Sequence, residues 1–326
     1  MKHDEMEPGD ASRPPAAGAV ESAENMVDAQ RLSAMIDAHG TWLEDPSSGR
    51  QANFTGTLVS GMNLQMVNLR KAIFAACTLV DVNLSGADLS GAIFEDLDLR
   101  QVSARAANLT EAEFRNAQLD SCVLAGANLA EVRMSFCALR GADLEGARLL
   151  DAQLIECDFT GALMRGAGLH HARLFECDFS QADLAGALFY HARIRFTRFT
   201  GAVLHRAVFN DASMHACRFA KAAMQGARLY CADLSGSELQ QALLNKADLQ
   251  LADLRRADLT SAELSGALLY EANLYAADLR GANLKDARGL TPEQLSRART
   301  SPETVLPGGS RGPYLRYSGA EGARGR

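Results

Sequence analysis

An all-β solenoid of square cross-section, about 12 coils long and closed at each end by a short helix, is the fold this sequence predicts. Three observations carry the prediction. From Ala52 a small residue recurs every five positions, and a large apolar one follows it two places later, as in GADLSGAIF (86–94) and KADLQLADLRRADL (246–259). Counted on the large residue, 47 such pentads run from Phe54 to Leu284 with no break in frame. The Phe at this central position recur at twenty-residue spacing: Phe54, Phe74, Phe94 and Phe114; Phe159, Phe179, Phe199 and Phe219; Phe189 and Phe209.

A period of five does not match the 3.6 of a helix, whose apolar positions would spiral around the whole surface. It is also odd, so in a long strand successive centres would alternate faces. A short extended piece satisfies it. Two positions apart, the small residue and the centre both point inward, and the chain bends before the next pentad. Glycines at the bend (Gly86, Gly91, Gly141, Gly146, Gly161, Gly166) suit the backbone freedom this needs. The Phe spacing sets four pentads to a coil, with rings stacked at the ~4.8 Å distance between strands.

The flanking elements follow in order. Residues 1–27, with Pro14, Pro15 and an acidic bias, read as a disordered segment. Residues 28–51 form an N-terminal cap, its helix at roughly 28–38 stopping near His39-Gly40, with Trp42 and Leu43 left to cover the first coil. The repeat occupies 52–288. At 289–300 a capping helix starts at Thr291 (N-cap) and Pro292 (first turn), with Gln294 completing a capping box and Leu290 stapled to Leu295. Residues 301–326, rich in Gly, Pro and Arg, read as a flexible tail. Without such caps the ends of the tube would invite edge-to-edge association.

The formal charge of −7 is uneven: −7 over 1–49, −3 over 50–288 and +3 over 289–326. A nearly neutral body does not point to nucleic acid. No stretch reads as a Sec signal or a membrane span, and seven cysteines without paired spacing suit reduced thiols. A cytoplasmic location is expected, with export by a non-Sec route left open.

The A(D/N)LxG pattern over roughly 52–288 resembles the pentapeptide-repeat proteins. The resemblance implies a right-handed quadrilateral β-helix, the handedness coming from the family alone. It also implies the family's roles: some members mimic double-stranded DNA and modulate or protect type II topoisomerases against quinolones or toxins, and others are secreted bacterial effectors or secretion-associated proteins.

ECDFT (156–160) and ECDFS (176–180) suggest a metal site, but the repeat separates their residues by direction. Cys157, Cys177, Phe159 and Phe179 point inward. Glu156, Glu176, Asp158 and Asp178 point outward, Asp178 within reach of Arg198 one coil on. Cys77, Cys137 and Cys217 share the column of Cys157 and Cys177, and Cys122 is inward as well. All six pack as slightly larger alanines, in single file rather than around a metal.

Residues 166–230 form a belt with four acidic and eight basic residues and five of the seven histidines. One column reads His171, His191, Asp211, Cys231, the nearest approach to a metal-ligand set; its alternatives are a side-chain ladder or part of an interface. Candidate partner-binding residues in the belt are His170, Tyr190, Arg193, Arg195, Arg198, His205, Arg206, His215, Arg218 and Tyr230. No Walker loop, HExxH, GxSxG or dinucleotide fingerprint occurs, and an unbroken frame leaves no loop for a lid or pocket. The expectation is a non-enzymatic scaffold with no cofactor and no metal, binding a protein partner through its outer faces. A homodimer through the C-terminal cap is left open. The body's small net charge and basic middle count against DNA mimicry, which needs a continuous negative face.

Overall fold

The computed structural model of the protein describes residues 26–316. The segment expected at 1–27 lies outside these residues except for its last two, as do 317–326 of the expected tail.

The chain enters through Met26 and Val27, which pair with Leu58 on the first coil (Val27 N–H to Leu58 O, 2.9 Å). Helix α1 (Ala29–Glu44) starts at Asp28, whose carboxylate accepts from the Arg31 amide at 2.7 Å. The helix does not stop near His39-Gly40. It runs a further turn to Asp45, because His39 is fully buried and stacks on Trp42 at 5.5 Å. The burial of His39 against the first coil, together with that stacking, outweighs the ~1 kcal/mol that Gly40 costs a helix. His39 Nδ1 accepts the Ala52 amide (3.1 Å) and so joins the cap to the first coil.

The repeat is a parallel β-solenoid in which residue i pairs with residue i+20, from Asn53↔Ile73 to Leu268↔Arg288. As far as Leu269 the centres donate their N–H to a carbonyl nineteen residues on (Leu64 to Asn83, 2.8 Å; Leu229 to Asp248, 2.7 Å). At most corners a β-turn joins the centre's C=O to the amide three residues later, as from Ala87 to Leu84 at 3.0 Å. The third residue of every corner from Gly56 to Asp286 has positive φ, as a type II turn demands. Only fifteen of these 47 residues are glycine, and the others include Phe136, Phe196 and Leu251. The left-handed backbone recurs because the coil requires it, even where L side chains resist it.

The Asp or Asn before each centre also has a structural task. Its Oδ1 accepts the amide two residues on (Asp88 from Ser90, 3.1 Å; Asp178 from Ser180, 2.8 Å; Asp258 from Thr260, 2.9 Å), stapling the corner.

The four faces of the coil are numbered here from the one that begins at 73–75; the second begins at 78–80, the third at 83–85 and the fourth at 88–90. Continuous strand is more limited than twelve coils. On the first face, β2 (Ile73–Ala75), β4 (Ile93–Glu95), β5 (Glu113–Arg115), β6 (Arg133–Ser135), β7 (Gln153–Ile155), β8 (Arg173–Phe175) and β9 (Arg193–Arg195) form a seven-stranded parallel sheet. On the second face, β1 (Leu58–Ser60) pairs with β3 (Thr78–Val80). Elsewhere the corners turn too tightly for three-residue strands, and single bridges hold the coils together.

The core is made of parallel columns of buried Leu, Phe and Ala, with the predicted Phe stacks. Centroid spacings are 4.4–4.9 Å from Phe54 to Phe114, 4.6–5.2 Å from Phe159 to Phe219, and 4.6 Å between Phe189 and Phe209. Ala104 stands where other pentads carry a large centre, and a void of about 20 Å³ lies beside it, lined by Leu84, Phe94, Leu99 and Leu124.

Helix α2 (Pro292–Arg297) carries the capping box between Thr291 and Gln294, with Leu290 and Leu295 buried. Gln294 Nε2 also donates to the carbonyls of Leu269 and Ala272 (3.1 and 2.8 Å). Residues 301–316 are not the flexible tail expected. Arg299 and Val305 bridge to Asp278 and Asn283, Thr304 and Leu306 are buried, and Thr304 Oγ1 donates to Leu279 O at 2.9 Å. The last coil would otherwise end in unpaired backbone, and this segment pairs it.

Candidate functional site

The geometry divides the basic belt by direction. His170, Tyr190, Asn210 and Tyr230 lie along the fourth face, and His171, His191, Asp211 and Cys231 along the corner it shares with the first. Arg193, Arg195 and His215 lie on the first face, and Arg198 and Arg218 on the second. His205 ends the third face, and Arg206 sits at the corner between third and fourth. The candidates therefore encircle the rod, and a flat partner reaches only part of them.

They also differ in whether their charge is spent. Arg198 Nε holds Asp178 Oδ2 at 2.8 Å, and Arg218 faces Glu238 at 3.5 Å. Nearby, Arg140 and Arg165 are bound to Asp158 and Asp183. Burial raises Asp158's carboxyl, but bonds from Thr160 and Arg140 outweigh it, and its pKa is lowered overall. Arg173, Arg193 and Arg195 have no ion-pair partner among the described residues.

On the fourth face, His170 stacks on Tyr190 with centroids 5.3 Å apart, and burial keeps its imidazole less basic than usual. The outward residues here are Gly168, Leu188, Val208 and Arg228, so the ladder sits on a nearly uncharged surface. At the corner, His171 and His191 stack face to face at 5.2 Å. All four corner residues share one left-handed backbone conformation (φ 55–58°), which projects them in parallel. Among the described residues no three His, Cys, Asp or Glu side chains are arranged to hold a metal. The Tyr230 phenol is pushed up by the neighbouring Cys231.

The inward cysteines are all buried, and four donate weakly to backbone carbonyls (Cys137 to Ser135 O, 3.3 Å; Cys157 to Ile155 O, 3.4 Å; Cys177 to Leu154 O, 3.4 Å; Cys217 to Ile194 O, 3.5 Å). Burial pushes the thiols of Cys77, Cys122 and Cys217 up to about 12. Such thiols are neither ligands nor nucleophiles.

The first face carries residues that charge counting passes over. A shallow groove of about 960 Å³ follows the rod between the column of Glu111, Glu131, Asp151, His171 and His191 and the column of Glu113, Arg133, Gln153, Arg173 and Arg193. Beside it Phe136, Ile155, Phe175 and Phe196 are 40–55% exposed, and Phe175 meets Phe196 edge to face at 5.9 Å. Their signal in the sequence was a large apolar residue at an outward position.

The profile described as pentapeptide repeat region matches residues 50–129 and 172–249, and that described as pentapeptide repeats (8 copies) matches 133–170, 143–181 and 247–286. Among solved structures, HetL, a pentapeptide repeat protein involved in heterocyst differentiation regulation in the cyanobacterium Nostoc sp. strain PCC 7120, is 26% identical. That match covers 73% of this chain and 95% of HetL, with a TM-score of 0.28. A pentapeptide repeat protein of the Arabidopsis thaliana thylakoid lumen is 33% identical over 27% of this chain and 66% of its own, with a TM-score of 0.23. QnrB1, a plasmid-mediated fluoroquinolone resistance protein, is 17% identical over 73% of this chain and 85% of its own, with a TM-score of 0.22. No curated protein sequence matches the chain. At these scores nothing about a site passes from the three structures to this one.

Proposed function

This chain belongs to the pentapeptide-repeat family, and from that premise we propose that it is a non-enzymatic scaffold that holds a protein partner on its outer side-chain ladders. The observation that supports this reading best is the fourth-face ladder of His170, Tyr190, Asn210 and Tyr230 on a nearly uncharged surface. Tyr side chains are favoured at the centres of protein interfaces. The coil already holds them in place, so little side-chain entropy is lost on association. Catalysis finds little support, since the interior is filled by Leu, Phe and Ala and the grooves are shallow surface features.

Pulldown with the full chain tests the reading. Tyr190→Ala with Tyr230→Ala is expected to reduce partner capture at least tenfold, because buried Tyr anchors are worth ~2 kcal/mol or more. Arg198→Ala with Arg218→Ala, on the second face, is expected to leave capture unchanged. Retention after the first pair of changes, or loss after the second, overturns the placement. DNA mimicry would need a continuous negative face, which the arginines of the first face interrupt. A gyrase supercoiling assay is expected to show no effect, and inhibition there would replace this reading.

A further inference from the structure

We propose that the first face is self-complementary and docks a second copy of this chain antiparallel, with a twofold axis crossing between β7 and β8. Three observations converge on one small area. The only regular sheet of more than two strands among the described residues lies there, with its outer surface uncovered. Four large apolar side chains stand exposed along it. Its charge is also polarised along the rod, with Glu111, Glu113, Glu131 and Asp151 against the single Arg133 on one side of the axis and His171, Arg173, His191 and Arg193 on the other.

A twofold contact between antiparallel rods sets each column against the same column of the other copy and exchanges coils across the axis. With the axis between residues 153 and 173, Ile155 of one copy meets Phe175 of the other, and Phe136, one coil further out, meets Phe196. Asp151 comes opposite His171 and Glu131 opposite His191, while Gln153 faces Arg173. Apolar groups therefore meet apolar groups, and acids meet imidazoles. A parallel pairing would instead lay the Phe136/Phe196 column over the Glu131/His191 column and lose both matches.

Three like-charged pairs oppose the arrangement, the outermost being Glu111 opposite Asp211 in the end coils of the contact, where solvent screens it. Arg133 faces Arg193, though Glu113 already neutralises Arg133 at 2.9 Å. Glu156 faces Glu176 at the corner, where solvent screens the repulsion. Six coils at ~4.8 Å give a contact roughly 29 Å long, at the small end of specific interfaces, so association in the micromolar range is expected. The inference does not rest on the partner surface assigned to the fourth face.

Sedimentation velocity of the full chain at roughly 100 μM, where a micromolar contact is populated, reads the result. The unmodified chain is expected to sediment as a dimer. Phe136→Glu alone and Phe196→Lys alone are each expected to give monomers. The chain carrying both is expected to regain the dimer, because the two positions meet only between copies; within one chain they lie three coils, ~14 Å, apart. Both residues are exposed, and circular dichroism checks that the variants fold. A monomeric unmodified chain, or a dimer that survives either single change, overturns the proposal. Failure of the combined variant to recover overturns the antiparallel register.

Discussion

Phe179→Ala probes how the core is held. Phe179 is fully buried between Phe159 at 4.6 Å and Phe199 at 5.2 Å. Truncating a buried Phe costs ~3–5 kcal/mol, depending on how far the site can collapse. Here collapse is blocked, because backbone bonds of 2.7 Å fix the coils on both sides (Phe159 N–H to Asp178 O, Phe179 N–H to Arg198 O). Two ring contacts of ~0.5–1.5 kcal/mol each are lost as well, which puts the expected cost near the top of the range. Phe54→Ala loses only one ring partner, Phe74 at 4.6 Å, and lies in the first coil, so ~3 kcal/mol lost locally is expected. Urea denaturation followed by circular dichroism, with hydrogen exchange on the same samples, separates the two cases. Phe179→Ala should lower the midpoint of the whole rod and speed exchange in coils on either side, since each coil is stabilised by its neighbours. Phe54→Ala should speed exchange in the first coil alone. A loss below ~1.5 kcal/mol for Phe179→Ala, or identical exchange patterns for both, refutes this account of the core.

Four further outcomes are expected. Ala104→Leu should stabilise the rod by up to ~2 kcal/mol, since the added carbons enter an existing void; destabilisation in the same denaturation assay shows the void too small. Ser237 Oγ donates to Met214 O (2.7 Å) and accepts from the Cys217 amide (3.1 Å), so Ser237→Ala should cost ~1–3 kcal/mol by stranding both groups, and a neutral result contradicts it. Titration of the native chain with a thiol reagent at pH 8 should modify Cys231 and no other cysteine, and a second rapidly reacting thiol would refute the burial of the column. Burial lowers the pKa of His39 below 6.5, so its contribution to the N-terminal cap is complete above pH 6.5 and declines as pH falls from there toward the lowered folded value. Protection factors in α1, that is, exchange corrected for the intrinsic rate at each pH, should fall below pH 6.5, and His39→Asn, which keeps an acceptor for the Ala52 amide, should flatten that response.

The coil was legible in the sequence because every pentad repeats one constraint, and the Phe columns reported its circumference. The capping box at Thr291 and Gln294 was legible because it is local. Elements fixed by contacts made only once were not. Gly40 reads as a helix stop until His39 is seen buried and holding the Ala52 amide of the first coil, and 301–316 read as tail until Thr304 and Leu306 are seen buried against the last coil. The belt was legible as composition but not as a surface. Five residues of sequence are a quarter turn of the rod, so Arg193 and Arg198 face different ways. The exposed Phe136 and Phe196 escaped notice because charge, not apolar exposure, defined the belt.

The twenty-residue register also dictates how such a chain can change length. Deleting one whole coil would shorten the rod by ~4.8 Å and leave every later side chain on its original face. Deleting a single pentad would keep the core pattern intact yet rotate everything downstream by a quarter turn. The fourth-face tyrosines would then break ranks at the scar, and the acidic and basic stretches of the first-face groove would part onto different sides. A stability assay would barely register the difference between the two deletions, whereas a binding assay would separate them at once.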